Sequence, residues 1–208
     1  MKRVLLFIII CTKLFAQHPN LGTSGAQFLQ LPIDAKNSAL GSAVVGLTDD
    51  ASALFWNPAG IANVNSTSIH FSFFNWFKFF NVNAFSAAKN FGDVGIIGMS
   101  LIVMNMDKME ITTELYPDGT ERYFDAQDLA IGLSYARNFT DRFRFGLTVK
   151  YIYQRIWNET ANGIAFDIGT QYTLDFNNFT IAMSMTNFGP DLNMSGPDLN
   201  IVYDRNST

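Results

Sequence analysis

Cysteine, histidine and charge are all scarce in this sequence. Its single cysteine, Cys11, lies in the N-terminal apolar segment, and the residue before it, Ile10, is not the small residue a lipidation site needs. Without that segment the chain has no thiol, forms no disulfide and holds no cysteine-based metal site, even in an oxidising compartment. Only 15% of the residues are Asp, Glu, Lys or Arg. Removal of Lys2, Arg3 and Lys13 takes the formal charge from −4 to −7. An acidic chain without a basic cluster argues against nucleic acid as a partner.

Long apolar runs are missing beyond the N-terminus. The longest, residues 96–104, is interrupted by Gly98 and Ser100, whereas a helical membrane span needs roughly 20 apolar residues. If the mature chain enters a membrane, it must do so as a β-barrel. Patterns that carry chemistry are also missing. His18 and His70 stand alone, without the His, Asp and Glu spacing of a metal site. Gly22-Thr23-Ser24-Gly25 lacks the Lys and the preceding strand of a phosphate-binding loop. No nucleophile elbow occurs. The chain therefore reads as a non-enzyme without a cofactor.

The start of the chain has the form of a signal peptide. Lys2 and Arg3 precede an apolar stretch from Val4, and Ala16 suits the −1 position of a cleavage site. Cleavage is expected before Gln17, so residues 1–16 are assigned to export. Residues 17–64 are rich in Gly, Ala, Ser and Asn, with no long alternating run. Thr48, Asp49 and Asp50 offer N-cap chemistry for one short helix over residues 51–56, which Pro58 ends.

From Ser66 onward the pattern has period two, the strand period. Seven strands are expected, over residues 66–75, 82–89, 94–105, 129–137, 143–156, 163–174 and 179–187. Most exceed the usual 5 to 6 residues of a soluble strand and match the roughly 9 to 11 of a transmembrane one. In the strand 143–156, Phe143, Phe145, Leu147, Val149, Tyr151 and Tyr153 share one face. Arg144, Gly146, Thr148, Lys150, Ile152 and Gln154 share the other. The strand 163–174 repeats this, with Ile164, Phe166 and Ile168 against Asp167 and Gln171. In a barrel the first set faces lipid and the second the lumen. Arg144, Lys150, Gln154, Asp167 and Gln171 are thus the candidate lumen-facing polar residues. They either pair across strands to hold a filled barrel rigid, the favoured reading, or line a conduit.

The connections read as short turns on one side and medium or long loops on the other, the asymmetry of outer-membrane barrels. Residues 76–81 and 157–162 are read as medium loops, and residues 109–124 as a hairpin turning at Pro117-Asp118-Gly119. Phenylalanine is the dominant aromatic, with 20 residues. Phe91, Phe139, Phe143, Phe176 and Phe179 flank the short turns, while Trp76, Phe77, Tyr116, Tyr123, Phe124 and Trp157 flank the longer loops. A soluble sheet explains the abundance of aromatics but not their gathering at both strand ends, which is the double girdle of a membrane barrel.

The segments 22–29, 39–43 and 49–60, and above all Trp56-Asn57-Pro58-Ala59-Gly60, resemble the N-terminus of the PorV/PorQ family, within the wider FadL-like group of outer-membrane barrels. Asn187-Phe188-Gly189-Pro190 resembles the end of a FadL-like strand. The resemblance implies an all-β, antiparallel transmembrane barrel of about 14 strands with a short helical N-terminal plug, so that residues 65–208 supply its first half. It implies residence in the bacterial outer membrane, in contact with lipid, and a role in type IX protein secretion with that system's components or secreted cargo as partners. The alternatives are a FadL-like channel for hydrophobic small molecules such as fatty acids, and a structural barrel or adhesin. Seven strands alone leave two open edges, and unpaired backbone in lipid costs several kcal/mol per group. A seven-strand piece is therefore not expected to insert stably as a monomer.

Overall fold

The computed structural model describes residues 25–177 and 179–199; the expected signal peptide and cleavage site lie outside them. Seven long strands form one antiparallel sheet. They are β1 (Thr67–Trp76), β2 (Phe80–Asn90), β3 (Ile96–Met106), β6 (Ala126–Asn138), β7 (Phe143–Ile156), β8 (Glu159–Thr173) and β9 (Thr180–Phe188). Each pairs with the next along the chain. A separate short hairpin of β4 (Met109–Glu110) and β5 (Tyr123–Phe124) fills the link between β3 and β6, at the place the Pro117-Asp118-Gly119 turn predicts. Six successive antiparallel pairings leave β1 and β9 as edges that run in the same direction.

The expected strands all form, with ends displaced by a few residues. The largest displacements are at β6 and β8, which begin earlier than their apolar patterns suggest. The loop expected over residues 157–162 is a two-residue turn, since Ile156 pairs with Glu159. The loop expected over residues 76–81 is a three-residue turn, since Trp76 pairs with Phe80. Both turns place an aromatic residue in the left-handed region, Trp157 at φ 53° and Phe77 at φ 55°. Tight hairpins need positive φ, ordinarily supplied by Gly or Asn, so aromatics there conceal the turn. As a correction, loop length does not separate the two ends of the sheet; only residues 107–125 and the stretch after β9 make long connections at the end so assigned.

The polarity of the sheet is reversed relative to a soluble one. Along β7 the buried positions are Gly146, Thr148, Lys150 and Ile152, while Leu147, Val149 and Tyr151 are exposed. The same holds across the neighbours. Phe71, Leu133 and Met183 are 66%, 65% and 68% exposed, whereas Ser86, Ser134 and Asp167 are almost wholly buried. A contiguous exposed apolar surface on this scale is foreign to ordinary soluble monomers.

The buried face is covered by residues 25–64. This segment comprises 3₁₀ turns at Gln27–Gln30, Ala51–Phe55 and Pro58–Asn63 and one short α-helix, Ala35–Ala39. The expected helix near residue 51 is a 3₁₀ turn that Asp50 caps, its carboxylate accepting from the Ser52 amide at 2.8 Å. Pro58 does not merely end it. Proline's fixed φ and missing N–H suit a first helical position, and Pro58 opens the next turn. Two apolar clusters join segment and sheet. Leu54, Ile61 and Val64 meet Ala88, Ile96 and Ala136. Phe28 and Ile33 meet Val82, Ile102, Ile152 and Ala165.

Candidate functional site

The residues with the most elaborate setting are Trp56-Asn57-Pro58-Ala59-Gly60, seated on the inner face of β6, β7, β8 and β9. Asn57 is fully buried. Its Nδ2 donates to the carbonyls of Val45 at 2.8 Å and Thr170 at 3.2 Å, and its Oδ1 accepts from the Ala59 amide at 3.0 Å. The Trp56 carbonyl accepts from the Ser184 hydroxyl at 2.8 Å. The seat is made by two glycines paired across β7 and β8, Gly146 and Gly169. A Cβ on Gly146 would lie 2.3 Å from the Pro58 carbonyl carbon, and one on Gly169 would lie 1.9 Å from Asn57 Oδ1. Gly60 is bound as closely, since a Cβ there would meet the Thr48 carbonyl at 2.5 Å. Only glycine permits these approaches.

An irregular buried segment must find partners for its backbone polar groups. The strands supply them with side chains on the inner face. Ser68 accepts from the Ala51 amide and Ser86 donates to its carbonyl. Ser72 donates to the Ile33 carbonyl, Asn90 to that of Val64 and Asn138 to that of Ala62. The polar inner face is thus matched to a plug, at about 1 kcal/mol net per hydrogen bond made and roughly 1–3 kcal/mol per buried group left unpaired.

The sequence-derived inner residues fall where their periodicity puts them, in distinct settings. Gln171 is buried, with Nε2 3.4 Å from the Val45 carbonyl and Oε1 3.4 Å from Asn63 Nδ2. Gln154 accepts from the Ala26 amide at 2.8 Å and donates to Asp128 at 3.0 Å, tying down the start of the plug. Arg144 reaches the Thr173 hydroxyl at 3.3 Å near the short-turn end. Lys150 and Asp167 form a buried pair, Nζ to Oδ2 at 2.7 Å. That ion contact lacks hydrogen-bond alignment at Oδ2. Lys150 also donates to Asn187 Oδ1 at 2.8 Å, and the Asn187 amide donates to Asp167 Oδ1 at 2.7 Å. This triad brackets an irregularity in the β8–β9 ladder between Phe166 and Ile168, where Asn187 has φ 59°. The glycine seat and the bonding of Asn187 to Lys150 and Asp167 are not read from the sequence, although Asn187 stands in the Asn187-Phe188-Gly189-Pro190 stretch and a run of Gly, Ala and Ser at alternate positions of β2, β3, β6, β7 and β8 signals the seat.

On the inner face of β1, His70 stacks edge-on to Phe55 with ring centroids 6.2 Å apart. Among the described residues no group of three or more His, Cys, Asp or Glu is placed to hold a metal ion. No described helix is long and apolar enough to cross a membrane, which says nothing of strands. Exposed aromatics flank both ends of the sheet: Phe91, Phe139, Phe176 and Phe179 at one, Phe77, Tyr116 and Tyr123 at the other. Basic groups lie over rings at both ends, with Lys89 5.4 Å from the Phe91 centroid and Arg122 5.7 Å from that of Trp157. In comparisons with known proteins, no family model, curated protein or solved structure matches this chain.

Proposed function

We propose that this protein is an outer-membrane β-barrel protein of the PorV/PorQ type, associated with type IX protein secretion. The observation that supports this reading is the reversed sheet: an apolar face left exposed and a polar face closed by a built-in plug. In water that arrangement exposes the surface that burial would stabilise at about 25 cal/mol per Å². Against lipid it is the stable one. Edge strands β1 and β9 run the same way. They cannot pair antiparallel with each other, so antiparallel closure takes an odd number of further strands, as in a 14-strand barrel.

Site-directed spin labelling tests the membrane part. With Cys11 replaced, labels at positions 133, 149 and 166 should be reached by oxygen and shielded from an aqueous nickel complex. A label at position 115, in the exposed hairpin, should be reached by nickel. Equal nickel access at all four positions would end the membrane reading. Deletion of the gene, followed by a survey of secreted proteins, tests the role. Unchanged secretion with lost uptake of a hydrophobic compound would shift the function to a FadL-like channel. One observation favours that second reading: a recess of about 730 Å³ between the plug and β8–β9.

A further inference from the structure

The recess lies where the start of the plug, the inner side of β7 and β8, and the segment after β9 converge. Its volume falls in the range of ligand pockets, roughly 300–1,000 Å³. Leu29, Ile152 and Leu192 give it apolar surface, and Thr186, Asn187 and Asp191 give it polar groups. Leu192 occupies a slot that two glycines make: a Cβ on Gly25 would meet it at 2.9 Å and one on Gly163 at 2.7 Å.

Charge decides what such a recess accepts. Its described lining holds no Lys, Arg or His, and it includes the acidic residue Asp191. Lys150, buried on the same face, is committed to Asp167 and Asn187. A carboxylate entering here would shed water, meet no free cation and face a like charge, all of which oppose its ionised form. An uncharged molecule escapes the repulsion and the larger desolvation cost of an ion, and pays only the smaller cost of its polar groups, which hydrogen bonds offset. Asn187 is also preset: its Oδ1 is held by Lys150 and its backbone amide by Asp167. Its Nδ2 remains as a donor, and Asp191 offers an acceptor. That pairing suits a hydroxyl or an amide, and the leucine and isoleucine surfaces suit an apolar chain.

We infer that this recess binds an uncharged amphiphile with a hydroxyl- or amide-bearing head and discriminates against the fatty-acid anion of equal chain length. The inference rests on the cavity that supports the small-molecule reading above, and its binding test is separate from the spin-label and gene-deletion tests.

The test is calorimetric titration of the full chain, held in an amphipol, with monolauroylglycerol and with dodecanoate at about pH 8, where the acid is ionised. Monolauroylglycerol should bind at least about tenfold more tightly, a difference of about 1.4 kcal/mol. Asp191→Lys, on an exposed segment, should raise dodecanoate affinity and narrow the gap. Thr186→Trp, also exposed, should fill the recess and abolish binding of both while the heat stability of the protein is retained. Equal or tighter binding of dodecanoate would overturn the inference, as would absence of binding by either probe. Binding that survives Thr186→Trp would place the amphiphile on the outer surface and overturn it too.

Discussion

Asn57 shows how a single side chain secures a plug. It joins Val45 in the plug, Thr170 in β8 and its own turn at Ala59 through one carboxamide. Asn57→Ala should leave these backbone groups without their partner at a cost of about 2–4 kcal/mol, read as a lower thermal midpoint and earlier protease cleavage within residues 40–64. Gly169→Ala acts from the other side of the same contact and should release the plug similarly; unchanged protease protection would show that the seat has slack. The Lys150–Asp167 pair behaves differently. Removing one partner, as in Lys150→Met, strands a buried charge and should cost about 3–5 kcal/mol, whereas Lys150→Met with Asp167→Leu should recover most of it. Additive losses in that cycle would mean that the two charges do not act as a pair. Asp50 adds a pH dependence. Burial opposes its ionisation most, but the hydroxyl and amide of Ser52 together with Lys36 and His70 outweigh this and hold its carboxyl below the ordinary 3.8. Its stabilisation is therefore present above that value and lost as pH falls through the lowered one. Amide exchange in residues 51–55 should accelerate at that acidic end, and Asp50→Asn should flatten the profile.

The individual elements are legible in the sequence to different degrees. Seven strands can be read because large apolar and small or polar residues alternate over nine or more positions, and cross-strand pairs such as Leu147 with Ile168 follow that alternation. Strand ends are less legible, because Glu159 and Thr160 extend the pairing of β8 with β7 although neither carries a large apolar side chain. The two tightest turns are hidden by Trp157 and Phe77, whose left-handed backbone is set by the strands on either side. Trp157→Gly should relieve that conformation and leave the β7–β8 hairpin stable or slightly stabilised by up to about 1 kcal/mol; a fall in the thermal midpoint would show that the ring's contact with Arg122 outweighs the strain. The plug is legible as a change of composition and a Trp-Asn-Pro-Ala-Gly stretch. Its seat is not, because Gly146 and Gly169 become neighbours only once β7 and β8 pair.

At the scale of the whole molecule the sheet and plug divide the work of solvation. Residues 25–64 cover the polar inner face and share hydrogen bonds with its side chains. The opposite face leaves its large apolar side chains exposed. The proposed site residues accordingly serve cohesion: Arg144, Lys150, Gln154, Asp167 and Gln171 each hold a neighbouring strand or the plug. The recess beside Asn187 is the place where that packing stops.

The hydrogen bonds that hold the plug also set a timetable. Ala26 bonds Gln154 across 128 positions, Asn57 bonds Thr170 across 113, and Ser184 bonds Trp56 across 128. Contacts of such long range form slowly, since the loop-closure cost comes before the reward. A segment that precedes its receiving strands in sequence is thus among the last to find its place, and its backbone stays solvated until those strands have assembled.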